Sequence, residues 1–559
     1  MKNIFLFIIL FMLASISNEI AALNNAVIKT TTYQQIRAAL LARQEVAILD
    51  VREEAIFAQS HPLFAANLSL SKIELEVYQR IPRRNTFIVV YDDGEGLAIK
   101  AAKKLVELGF SEVHLLEGGL SGWKDAGGEL FIDVNVPSKA FGELVESKRH
   151  TPMLSANEVK SLIDEKANVV IVDARRFDEY QTMNIPGSIS VPGAELVLRI
   201  RELAPDPATK VIVNCAGRTR SIIGTQSLIN AGIPNQVVAL RNGTIGWTLA
   251  GQELEHGQSR HFGDISPENR EKAVADSRKV ADKAGVKRTD FHALESWLKD
   301  KKRTTYRFDV RTPEEFVKGH LPEFSSTPGG QLVQETDHFA TVRGARIVLA
   351  DDQDVRANMT ASWLAQMGWD VYILDDIKPE QFSQTGSSKV SLPAFPAIEK
   401  TKIISTNTLS DWLKKDDQTV VVDLAASKQF NQNHIPGAWF AVRSEFEKAI
   451  KKLPTAEKYV LTSSDGSLAK FALNEFQALT KSKVYVLDGG TKTWTNGGNK
   501  LEKSAAGQNH LASPEIDRYK RPYEGTNNAT EAMEAYLEWE YGLVDQLSKD
   551  GTHGFFVIQ

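Results

Sequence analysis

The chain has 559 residues, of which 42% are hydrophobic and 25% charged, with a formal net charge of −5. That length exceeds a single core and points to about three to five domains. A near-neutral balance, with no run of basic residues to track a phosphate backbone, excludes nucleic acid as the expected partner.

The N-terminus opens with Lys2 and the apolar run IFLFIILFMLASI, followed by small residues through Ala21 and Ala22. The run is short and polar residues end it, so residues 1–22 read as a secretory signal peptide. Cleavage is expected near Ser17 or Ala22, an uncleaved anchor being the alternative. The protein is therefore expected to be periplasmic or secreted, with no transmembrane segment after signal removal.

The rest of the chain repeats one order of signals four times. Each unit begins with an amphipathic helix candidate: TTYQQIRAALLA, SANEVKSLID, TDFHALESWLK and STNTLSDWLKK. Ser155 and Thr289 are expected N-caps. An apolar strand then runs into Asp50, Asp173, Asp309 or Asp423. A turn, a second strand and a helix follow, the helix stopped in three units by Gly109, Gly232 or Gly368. A third strand closes each unit. Continuously apolar strands alternating with helices predict a parallel sheet flanked by helices on both faces. The fold class is α/β, with units over 27–137, 150–258, 288–385 and 400–503. Residues 259–287 form a charged helical connector, and 504–559 a tail whose second half is a helix docked on the repeats. Its aromatics Tyr523, Tyr536 and Trp539 are expected to pack without a further role, like Trp123 and Trp494 at the ends of their units.

Cys215 is the only cysteine. In an exported chain an unpaired cysteine is a reactive thiol, an intermolecular bridge or a small buried hydrophobe. Its surroundings decide. The four loops after the second strand read YDDGEGLA, NCAGRTRS, ADDQDVRA and SSDGSLAK, placing Asp92, Cys215, Asp351 and Ser464 in one position. Only the second combines a thiol with cations. A short loop between a strand end and a helix start turns backbone N–H groups toward one point. Gly217 permits the tight backbone, and a helix starting near Ser221 adds its positive end. Arg218 and Arg220 supply forked donors for an oxyanion. The thiol is expected to have a lowered pKa and to exist largely as thiolate.

The loop CAGRTRS, with VDARRFDEYQTMNIPGS upstream and LRNGTIGW downstream, resembles the rhodanese (thiosulfate sulfurtransferase) family, and the resemblance covers most of the chain. It implies four tandem rhodanese-like domains, only the second with its nucleophile. It also implies double displacement: Cys215 takes the outer sulfur of thiosulfate or a related donor, sulfite leaves, and a thiol or cyanide accepts the sulfur from the persulfide. The implied substrate-binding residues are Ala216, Gly217, Arg218, Thr219, Arg220 and Ser221; no metal or organic cofactor is implied. Asn184 departs from the pattern, standing where the family often has histidine. Asp173 and Arg175 recur as D-x-R in units without a nucleophile, which favours a structural ion pair. Arg218 is either an anion ligand or a solvated residue, and Arg241 and Trp247 are weak candidates for the pocket border. His256 and His261 read as surface residues. Two other functions compete: a sulfur-carrier or partner-binding scaffold, and a cysteine-dependent phosphatase. Four residues between Cys215 and Arg220, rather than five, disfavour the phosphatase.

Overall fold

The computed structural model describes residues 28–415, 418–504, 510–524 and 526–559. The segment read as a signal peptide lies outside the described residues. Four five-stranded sheets follow one another along the chain. Counted in chain order within a unit, the strands lie first-fifth-fourth-second-third, and every pairing is parallel. The apolar strands explain this: Val211, Ile212 and Val213 are wholly buried, so both faces of the sheet are covered. Two short strands per unit add to the three expected. In the second unit these are Met153–Leu154, before the first helix, and Ile189–Ser190, within the turn.

Local chemistry sets the helix ends. Ser155 caps Ala156–Asp164 in a capping box with Glu158. In the third unit Asp290, not Thr289, is the N-cap, its side chain accepting from the Ala293 N–H. Thr289 instead ends the strand Lys287–Thr289, where its N-terminal neighbours pair with the closing strand. Gly109, Gly232 and Gly368 all have positive φ just past their helices.

One contiguous apolar core takes residues from the first three units and the tail, including Val89, Leu196, Leu349 and Leu543. The helix Val136–Arg149 joins the first two units and contributes Phe141 and Val145 to it. The charged connector forms the helix Pro267–Lys283; Ala273 and Val280 enter the shared core, while its charges lie outward. The fourth unit keeps its own cores and meets the first through Arg443, which donates to Glu74 at 2.7 Å and Glu475 at 2.6 Å. Among the described residues no helix is long and apolar enough to cross a membrane.

Candidate functional site

In the second unit the fourth strand, Lys210–Asn214, pairs with Val169–Asp173 so that Asn214 stands opposite Asp173. This is where the strand order reverses, the place where open α/β sheets gather ligands at their carboxyl ends. Cys215 follows directly. The helix Thr219–Asn230 starts two residues earlier than expected, which puts Arg220 and Ser221 in its first turn. Gly243, with φ of 54°, packs so tightly that a Cβ there would lie 2.3 Å from the Cys215 carbonyl oxygen. The carbonyls of Cys215 and Ala216 accept from the N–H groups of Thr244 and Ile245, both at 2.9 Å. The loop is therefore fixed from below by its own backbone.

The same register corrects the alignment of the fourth unit. Asp423 pairs with Thr462, so the counterpart of Cys215 is Ser463, one residue before Ser464. The aspartates of the first and third loops occupy part of their own cradles, whereas Ser463 in the fourth accepts, among the described residues, only from the Ala469 N–H at 3.4 Å. Asp92 accepts from the N–H groups of Gly94 at 3.2 Å and Ala98 at 3.0 Å. Asp351 accepts from those of Gln353, Arg356 and Ala357 at 3.2, 2.8 and 3.2 Å. In the second unit the Ser221 N–H faces the sulfur. The N–H groups of residues 216–220 donate to no protein acceptor among the described residues. Cysteine cannot reach and neutralise these amides as an aspartate does.

Cys215 is 1% exposed, and it borders a cavity of about 380 Å³. Residues from all four units and the tail line this space: Glu54, Arg176, Glu335 and Lys428 from the units, with Arg521 and Glu540 from the tail. The repeats without a nucleophile thus build walls around the cysteine loop. Gly217 does not have positive φ. Its lack of a side chain matters for space, since a Cβ would lie 3.2 Å from both Glu540 Oε2 and Tyr536 Cε1.

The arginines are less free than expected. Arg218 lines the cavity but is not solvated: it donates to Glu143 at 2.7 and 2.8 Å and to Asn242 at 3.2 Å. Its guanidinium also stacks on the Tyr541 ring at 4.5 Å. Arg220 donates to Glu179 at 2.6 and 3.1 Å, and Arg521 donates to the same carboxylate at 2.9 Å. Burial pushes Glu179 up, but Arg220, Arg521 and Arg175 pull it well below the usual carboxylate range.

Burial overturns the expected thiolate. Burial raises the Cys215 pKa above that of an ordinary thiol, against opposing pulls from Arg220 and Ser221. The thiol donates to Ser221 Oγ at 3.5 Å, and that hydroxyl donates to the Arg218 carbonyl at 2.8 Å. The resting sulfur is therefore a protonated thiol in a loop of unpaired amides.

Asp173 and Arg175 form the expected ion pair, at 2.9 and 2.8 Å, with both side chains wholly buried. They hold the strand end and do not line the cavity. Nor do Arg241 and Trp247; Trp247 is buried and donates to the Glu253 carbonyl at 2.7 Å. His256 and His261 are exposed. In the other units a histidine stacks on phenylalanine, as His61 on Phe57 at 3.9 Å; in the second, Asn184 accompanies Tyr180, whose hydroxyl donates to the Ser188 carbonyl at 2.6 Å. Among the described residues no group of three metal-ligating side chains converges.

Four stretches match the Rhodanese-like domain family: residues 33–126, 155–250, 291–376 and 405–497. The chain belongs to the rhodanese family. A solved structure, a thiosulfate sulfurtransferase from Pseudomonas aeruginosa, is 62% identical with a TM-score of 0.92, covering 95% of this rhodanese chain and 100% of that one. The thiosulfate sulfurtransferase GlpE of Coxiella burnetii is 32% identical over 85 residues, 15% of this chain and 78% of that protein. The HTH-type transcriptional regulator Rv0324 of Mycobacterium tuberculosis is 33% identical over 100 residues, 18% of this chain; the match spans only 43% of the regulator.

Proposed function

We propose that this rhodanese is a thiosulfate-type sulfurtransferase that carries a sulfane sulfur on Cys215. One observation carries the reading: among the described residues the N–H groups of residues 216–220 have no protein acceptor, whereas Asp92 takes the matching amide of Gly94 and Asp351 takes those of Gln353 and Arg356. Preorganised amides around a nucleophile stabilise charge as it develops, without reorganisation.

The chemistry has two displacements. The Cys215 thiol first loses its proton to solvent, helped by the Ser221 N–H and Arg220. The thiolate attacks the outer sulfur of thiosulfate, a new S–S bond forms, and the old bond breaks with its electron pair leaving on sulfite. The terminal persulfide sulfur, an anion, is held by the loop amides. A thiol or cyanide anion then attacks that sulfur and Cys215 departs as thiolate. No step calls for a metal or organic cofactor. If residues 1–22 act as an export signal, this takes place outside the cytoplasm.

Initial rates measured over thiosulfate at several fixed cyanide concentrations test this reading. Parallel double-reciprocal lines, with no turnover in Cys215→Ser, are expected for a covalent intermediate. Intersecting lines, or a Cys215→Ser variant that still turns over, would overturn it.

A further inference from the structure

The tail helix Ala529–Tyr541 lays Tyr536 and Glu540 across the cysteine loop. Glu540 is 1% exposed. Its Oε1 accepts from the Tyr536 hydroxyl at 2.9 Å. Its Oε2 is buried, has no hydrogen-bond partner among the described residues, and faces Gly217. The other charged or titratable groups around it are Lys139 and Glu143 on the joining helix, Arg218 and Cys215 in the loop, and Tyr519 of the tail. Both cations are committed elsewhere, Lys139 to Asp133 at 2.5 Å and Arg218 to Glu143 at 2.7 Å. An ionised Oε2 would be a buried charge without a donor. A proton on it removes that charge and turns an unpaired acceptor into a donor aimed at the loop. Burial pushes Glu540 up to about 8, against the opposing pull of Lys139, so the neutral acid prevails at neutral pH.

We propose that Glu540 is a substrate-binding residue of the sulfur-transfer site, its protonated Oε2 donating to the anionic donor held over residues 216–221. The proposal rests on the reading of Cys215 given above. A carboxylic acid kept neutral by an apolar site is an established way to offer a hydrogen bond to an oxyanion. The tail thereby selects for anions, and it does so only while Glu540 keeps its proton. Once ionised, Glu540 sets a negative charge against the donor dianion and withdraws the hydrogen bond.

The test uses thiosulfate, which stays a dianion throughout, titrated calorimetrically into the full-length Cys215→Ser variant, where no thiol titrates. Its Kd should rise by up to tenfold per pH unit above about 8. In Cys215→Ser/Glu540→Gln, which keeps a neutral donor, Kd should stay flat across the same range. Coincident pH profiles in the two proteins would overturn the proposal. In the background that retains Cys215, Glu540→Leu should lower kcat/KM for thiosulfate about tenfold, with Glu540→Gln restoring most of that loss. Equal losses in both would also overturn it. If the unmodified protein takes no sulfur from thiosulfate, the Cys215 reading fails and this one with it. If it takes sulfur but the Kd profiles coincide, only the role of Glu540 fails.

Discussion

Glu179→Gln should destabilise the protein and at the same time make Cys215 more acidic. Glu179 is 6% exposed and accepts from Arg220 at 2.6 and 3.1 Å and from Arg521 at 2.9 Å. The substitution leaves a buried guanidinium without its counter-charge, a loss of about 3–5 kcal/mol for a fully buried pair. The Arg220 and Arg521 side chains are 19% and 35% exposed. Solvent screening reduces the expected loss to about 2–4 kcal/mol. The unopposed charge then acts on the sulfur. At about 6 Å and an effective dielectric constant of about 20, a unit charge is worth about 3 kcal/mol, or about two pH units. Allowing for solvent, the thiol pKa should fall by about one unit or more. The single cysteine makes the assay clean, because the ultraviolet absorbance of the thiolate during a pH titration, taken as the difference from the matching Cys215→Ser protein so that tyrosine ionisation cancels, reports Cys215 alone. Urea unfolding measures the stability loss. Glu179 is held below its ordinary value, so its contribution is present above the unfolded pKa of about 4.5 and disappears as pH falls. The gap between the two proteins should accordingly narrow in acid. An unchanged thiolate titration would refute the claim that Glu179 weakens the field of Arg220 at the sulfur.

Three further outcomes are expected. Cys215→Asp should abolish transfer yet be more stable than Cys215→Ser by about 1–3 kcal/mol in urea unfolding, as the carboxylate accepts two or three loop amides in the manner of Asp92 and Asp351. Equal stabilities would contradict the unpaired-amide description. Glu540 has a raised pKa, so the folded state holds its proton more tightly and loses stability as pH rises from about 4.5 to about 8. Glu540→Gln should therefore gain on the unmodified protein by up to about 1.4 kcal/mol per pH unit across that window, and a constant difference would count against it. Gly217→Ala places a methyl 3.2 Å from Glu540 Oε2 and Tyr536 Cε1. It should cost about 1–3 kcal/mol and raise KM for thiosulfate, whereas unchanged unfolding and kinetics would show that the tail yields freely.

The repeat was legible because it is written in local signals. Aspartate-terminated apolar strands, glycine stops and the D-x-R pair each act within a few residues. The structure keeps them: Asp173 and Arg175 pair through a shared turn, and the sheets are parallel. Register was less secure. Two adjacent serines hide which one follows the strand, and only the pairing of Asp423 with Thr462 identifies Ser463. What stayed hidden lies far away in the chain. Glu143 and Glu179, which neutralise Arg218 and Arg220, sit on helices whose sequences carry no mark of that role. Tyr523, Tyr536 and Glu540 reach the cysteine loop only because the tail folds back across it, so aromatics expected merely to pack are cavity walls. The expected thiolate failed for the same reason, since burial beneath elements distant in the chain, with Glu540 of the tail, raises the thiol pKa against the pulls of Arg220 and Ser221.

Intact-protein mass spectrometry after thiosulfate treatment tests the central claim most directly. The unmodified chain should gain one sulfur atom, lose it on addition of cyanide, and show neither change as Cys215→Ser. A chain that gains no sulfur, or gains it without Cys215, would contradict the account.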